Sequence, residues 1–169
     1  GSTTASGTLS VTTGGAITQS AGVVALGTAT LNASGSTVTL EHAGNDFATV
    51  QLSSVGNTRL ADANALALAG ATVNGTLSVK TSGDLSQTGA LVAGALTLDA
   101  GAAGNISLAD AGNDFGRVTV VAARDASLRH SASIDLGAFS VNGAITVQAA
   151  GDVTLSGLLQ AAGAGNAIV

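Results

Sequence analysis

The chain contains no proline, cysteine, methionine, tryptophan or tyrosine among its 169 residues, and only three phenylalanines. Charged residues make up 9% of it, against roughly 25% in an average soluble domain. Each shortage excludes something. Without cysteine there is neither a disulfide nor a thiolate metal site. Without Trp or Tyr there is no large ring on which a sugar could stack. Five Lys and Arg against ten acids, for a net charge of −5, leave no basic patch, so nucleic acid is not an expected partner. The longest apolar stretch, Gly89 to Leu98, is about half of the ~20 residues that a spanning helix needs. No membrane insertion is expected. The hydrophobic content of 46% nevertheless argues for a folded chain. The core must be thin and regular, built from Ala, Val, Leu and Ile.

What is present is a repeat. Gly7-Thr8-Leu9-Ser10-Val11 returns as Gly75-Thr76-Leu77-Ser78-Val79 and, more loosely, as Gly143-Ala144-Ile145-Thr146-Val147. Ala43-Gly44-Asn45-Asp46-Phe47 returns as Ala111-Gly112-Asn113-Asp114-Phe115. Without a gap, residues 7–74 and 75–142 match at 21 of 68 positions. A fixed long period marks stacked architectures, in which no unit buries its apolar face alone. We therefore expect one domain over residues 1–169, made of repeats 7–74 and 75–142 and a partial third, 143–169. With no initiator methionine and a stop at Val169 inside that third repeat, a fragment of a longer chain is expected.

Apolar residues come in i, i+2 pairs such as Leu9/Val11, Val38/Leu40, Leu77/Val79, Ile106/Leu108 and Ile145/Val147. Period two is the pattern of a strand with one buried face. Strands of three to five residues recur every seven to nine, separated by Gly, Asn, Ser and Ala. The 68-residue unit holds about nine of them. Three strands per coil predict an all-β, right-handed parallel β-helix with about 22–23 residues per coil and about seven coils. The lack of proline agrees, because every strand inside a solenoid must donate its N–H groups. An antiparallel sandwich would need more two-residue Asn-Gly turns than Asn74-Gly75 and Asn142-Gly143. Open strand edges at the ends of such a stack would favour end-to-end self-association.

The phrases Gly7 to Ser20, Gly83 to Gly89 and the two Gly-Asn-Asp-Phe segments (44–47 and 112–115) resemble repeats of filamentous haemagglutinin-like exoproteins. These are the large secreted adhesins of two-partner secretion systems. The resemblance covers residues 7–169. It implies a β-helical shaft, export through an outer-membrane transporter, and an extracellular place at the bacterial surface. Host-cell glycan or protein receptors are the partners it implies. The family's amino-terminal secretion domain is not visible here, so the match is to a shaft segment. N-x-[ST] sequons at Asn32, Asn74 and Asn105 admit glycosylation, but turn asparagines that meet Ser or Thr by composition are the favoured account.

Candidate chemistry is sparse. Asn45, Asp46 and Phe47, with Asn113, Asp114 and Phe115, are the strongest local motifs, at corners where about twelve residues separate strand pairs instead of about eight. They read either as ligand loops or as Asx turns closed by a packed Phe. One acid per repeat cannot assemble a calcium site. Three coils per repeat would set Asp46 and Asp114 at equivalent positions about 14 Å apart, too far for a glycosidase pair. Asp125 with Arg124 and Arg129 is the only local candidate for lyase chemistry, and a solvated surface explains it. His42 and His130 have no partner His and are expected at the surface. The Thr28/Thr30 and Thr37/Thr39 pairs suggest an ice-binding face, but one repeat beyond Thr28/Thr30 stand Leu96 and Leu98. No catalytic residue, cofactor or metal ligand is therefore assigned. The expected function is structural: a segment that extends and presents binding regions of an adhesin. The alternatives are direct binding of glycan or receptor through the Asn-Asp-Phe loops or a Thr/Ser-rich face and, more remotely, a polysaccharide-active enzyme.

Overall fold

The computed structural model describes residues 2–162, apart from the side chain of Ser54. Residues 163–169 of the partial third repeat lie outside this range. The described chain is all strand and turn, with no helix. Seventeen strands run from Thr3–Ala5 to Leu159–Ala161. Every pairing is parallel and joins a strand to the one a turn later. The chain is thus a parallel β-solenoid of about eight turns, on the order of 40 Å long at ~4.8 Å per turn.

One column shows how the sequence pattern becomes a core. Ile17, Val38, Thr58, Leu77, Leu96, Val118, Leu136 and Leu155 stack in register, one per turn. All of them are buried except Leu155 near the end of the described stack. Their neighbours at i+1 face outward, as the pleat requires. Phe47, Phe115 and Phe139 are the largest fully buried side chains.

The turns are shorter than the sequence suggested. Val24 pairs with Asp46, a step of the expected length, but Leu40 pairs with Leu60 and Val50 with Leu68, both well short of it. That accounts for about eight turns instead of about seven. The reason is visible in the long strands. Val23–Asn32, Asp46–Val55 and Leu66–Thr81 carry their ladder around corners without a separate loop. Register shifts, such as that between Val50 and Gln51, absorb the bend. A bulge bends the strand where it stands, so such a corner needs no separate loop.

The repeat period is also not a whole number of turns. Leu9 heads the column Leu9, Ala29, Val50, Leu68. Three turns up that column is Leu68, and Leu77 lies further along, in the separate column of Ile17 and Val38. Phe47 stacks on Ala25 and Ala5, whereas Phe115 stacks on Ala93 and Val73. Each repeat therefore advances three turns plus one face. This corrects the expected three coils per unit. Asp46 pairs with Val24 and Asp114 with Val92, so the two acids occupy different columns and face different directions.

Candidate functional site

The Asn-Asp-Phe corners are built the same way in both repeats. Asn45 is fully buried. Its Oδ1 accepts hydrogen bonds from Gln19 Nε2 at 2.7 Å and from the Val23 N–H at 3.0 Å. Its Nδ2 donates to Gln19 Oε1, to the Leu40 carbonyl and to the Ala61 carbonyl at 2.9–3.1 Å. The side chain thus ties together three successive turns. Asn113 repeats every contact in the second repeat, with Gln87, the Leu91 N–H, and the Leu108 and Arg129 carbonyls. A buried amide can hold its place only when its donors and acceptors are matched. These two are saturated by the protein itself.

Gln19 and Gln87 are the residues that sequence reasoning passed over. The signal was present: the two glutamines hold equivalent positions in matched phrases of successive repeats. Asp46 and Asp114 point outward. Asp46 Oδ1 accepts from Asn64 Nδ2 at 2.9 Å, and the Asp114 carboxylate is two-thirds exposed. Phe47 and Phe115 are wholly buried.

Behind each Phe the repeats diverge. Asp62 accepts the Phe47 N–H through Oδ2 at 2.7 Å and the Asn64 N–H through Oδ1 at 2.9 Å. Burial pushes its carboxyl above the usual range. The two backbone N–H groups oppose that shift, and nearby Asp46 adds to it. His130 takes the same place in the second repeat. Its Nε2 faces the Phe115 N–H at 2.8 Å and its Nδ1 faces the Ala132 N–H at 3.1 Å. His130 is 3% exposed, which corrects the expectation of a surface histidine. Its ring packs at 5.0 Å from that of Phe115, and Phe115 supplies the apolar wall that buries it. His42 is exposed, and its Nδ1 accepts the Gly44 N–H.

A second corner device recurs. Asn57 Oδ1 accepts the Thr76 N–H at 2.9 Å, and Asp125 Oδ1 accepts the Ala144 N–H at 2.8 Å. Gly75 and Gly143 precede those N–H groups, and a Cβ at either would strike the capping oxygen. This is why glycine recurs at 75 and 143. The Ala144 N–H, then Arg124 Nε at 3.1 Å, hold the Asp125 carboxyl below its usual range. Asp125 is thus occupied as a cap, while Arg129 lies on the separate strand Ala126–His130 and meets Asn113 through its carbonyl. Asp84 likewise accepts the Asn105 N–H and its side-chain amide. No group of three or more His, Asp or Glu placed to hold a metal occurs among the described residues.

Single hydroxyl side chains line up turn after turn, although the Thr28/Thr30 pair does not recur, since Gln51 and Gly70 follow Thr30 in register. Thr28, Thr49, Ala67, Ser86, Ser107, Ser127 and Thr146 form one outward column, broken only at Ala67. Comparing equivalent positions of successive repeats missed it, because that step changes face. The relevant neighbour lies a single turn away.

Fold, period and corner geometry define a class: a β-solenoid assembled from internal repeats, with the buried amides of its Asn-Asp-Phe corners spent on joining turns. The chain belongs to the family described as repeats of unknown function (DUF5649), whose model matches residues 1–53, 55–122 and 123–168. No curated protein and no solved structure matches it significantly.

Proposed function

We propose that this segment is a stiff spacer in an extracellular bacterial adhesin of the filamentous haemagglutinin-like, two-partner-secretion type. Its role is to extend binding regions away from the cell. The observation that carries the reading is the consumption of the motif residues by the stack. Asn45, Asn113, Gln19 and Gln87 join neighbouring turns and leave no buried donor or acceptor facing outward. Such ties, added to a continuous parallel ladder, resist bending. In this reading the segment is not an enzyme, since Asp62, Asp84 and Asp125 serve as backbone acceptors. Export through an outer-membrane transporter fits a chain without cysteine that can fold turn by turn once outside.

The test uses the source cells. Antibody against residues 2–162 should label intact cells, and labelling should vanish when the outer-membrane transporter is deleted. Excising residues 75–142 from the parent should shorten the fibre by about 16 Å, three and a third turns at ~4.8 Å, and leave adhesion in place. Labelling only after lysis, or loss of adhesion with that excision, would overturn the reading.

A further inference from the structure

One face of the solenoid carries polar side chains that the fold does not use. On it, Thr18, Thr39, Arg59, Ser78, Thr97 and Thr119 form a single outward column. Thr37 and Thr76 stand beside it. The middle of this face is concave, with a volume of about 570 Å³ lined by Thr37, Thr39, Arg59, Thr76, Ser78 and Thr97 among others. That is the size range of small-ligand sites. Among the described residues, the hydroxyls of Thr37, Thr39, Thr76, Ser78 and Thr97 make no hydrogen bond within the protein. The contrast is with Asn45, Asn113, Asp62 and Asp125 at the corners, which are engaged by backbone groups. Arg59 has only a loose pair with Glu41, Nη1 to Oε1 at 3.9 Å, with both side chains at least half exposed. Such a pair is worth little and yields readily to a better partner.

We propose that this groove binds a linear, sparsely acidic glycan lying along the solenoid axis, with a uronate carboxylate on Arg59. Hydroxyls both donate and accept, so a lattice of them matches sugar hydroxyls of either polarity. The rows repeat at the ~4.8 Å turn spacing, comparable to one pyranose ring, so successive sugars meet successive turns. Arg59 presents a planar fork suited to a carboxylate. An apolar peptide finds no complementary surface here. A densely charged polyanion is opposed by the net charge of −5. The inference goes beyond the spacer reading: excising residues 75–142 also removes Thr76, Ser78 and Thr97 from the groove, so Arg59→Ala in the parent, which leaves fibre length unchanged, separates loss of the groove from loss of the spacer.

The probe is a hyaluronan octasaccharide, in which glucuronate alternates with a neutral sugar, followed by amide chemical shifts and calorimetry on the whole chain. Shifts should cluster at residues 37–39, 57–59, 76–78 and 97. Arg59→Ala should weaken binding about tenfold, the loss of one charge-assisted bidentate contact. The carboxyl-reduced octasaccharide should bind the parent about tenfold more weakly as well, with no further loss on Arg59→Ala. Thr39→Val with Ser78→Ala should weaken both sugars, and Arg129→Ala, on another face, neither. The groove assignment fails if millimolar sugar leaves this face unshifted. It also fails if shifts map to the Asn45 and Asn113 corners, or if Arg129→Ala weakens binding as much as Arg59→Ala.

Discussion

Exchanging the residues at positions 62 and 130 should move stability in opposite directions. Asp62 and His130 occupy the same place in successive repeats, each facing two backbone N–H groups. An ionised carboxylate accepts both. A neutral imidazole accepts through one nitrogen only, and an imidazolium through neither. In the second repeat one N–H of the pair Phe115 and Ala132 therefore lacks a true acceptor. A buried N–H without a partner costs about 1–3 kcal/mol. His130→Asp should recover that cost. It should lose the 5.0 Å ring contact with Phe115, worth about 0.5–1.5 kcal/mol. It should also place a second carboxylate near Asp114, which is two-thirds exposed and so well screened. Burial opposes an ionised carboxylate there as it does at Asp62, so the net gain should be at most about 1 kcal/mol, or about 2–4 °C in melting temperature for a chain of this size. Asp62→His should lose about 1 kcal/mol, because the acceptor it removes costs about 1–3 kcal/mol and a ring contact with Phe47, the equivalent of Phe115, returns about 0.5–1.5 kcal/mol. The assay is native-state hydrogen exchange at the Phe115 and Ala132 amides in one variant, and at Phe47 and Asn64 in the other. Exchange reports the local opening that a global melt of a repeat protein averages away. Equal exchange in Asp62→His and the parent would refute the acceptor count.

Asn113→Ala strands the Leu91 N–H and two carbonyls together with Gln87, so it should cost at least about 3 kcal/mol. In a double-mutant cycle read by urea denaturation, Gln87→Ala should add much less than its own cost. Gly143→Ala should destabilise the turn above Arg124-Asp125, and adding Asp125→Ala should relieve part of the clash, since the added Cβ meets the Asp125 carboxylate and also, at 2.8 Å, the Arg124 carbonyl, which remains. Full additivity would contradict the clash. Two carboxylates should pull the acid response in opposite directions. Asp125, held low by the Ala144 N–H and Arg124, lends stability that is present above the usual carboxylate range and lost as pH falls through its own lower value. Asp62, raised by burial, weakens the fold above its raised value and no longer does so below the usual range. Asp125→Asn should therefore flatten the fall in stability on acidification and Asp62→Asn steepen it, as read by denaturation midpoints across the carboxylate range. Leu77→Asp, in the centre of a buried column, should unravel the turns around it. Exchange rates at Leu60, Val79 and Leu98 unchanged from the parent would show that the column is not the source of cohesion.

Much of this architecture can be read along the chain. The i, i+2 apolar pairs mark strands such as Val38–Leu40 and Ile106–Leu108 at their observed places. The absence of proline fits a ladder in which interior strands donate along their length. The recurrence of Asn45 to Phe47 and of Asn113 to Phe115 marks the two corners that the structure builds alike. Less legible was what lies beside them. Gln19 meets Asn45 from a full turn away, and nothing in a linear pattern says which turn a side chain will reach.

Periodicity, composition and the pairing of small with apolar residues point by themselves to a parallel stack of strands, because stacked repeats bury for one another a thin apolar stripe that none buries alone. The phase of the stack is decided only in three dimensions. Long strands such as Leu66–Thr81 bend around corners through register shifts, and the residues saved there make a turn shorter than a third of the repeat. Equivalent residues consequently move one face per repeat. That rotation separates Asp46 from Asp114, turns Leu9 and Leu77 onto different columns, and gathers Thr39, Arg59, Ser78 and Thr97 into one groove. Turn length is set by how tightly backbone and side chains pack at the corners, and packing is a property of neighbours in space that sequence order does not specify.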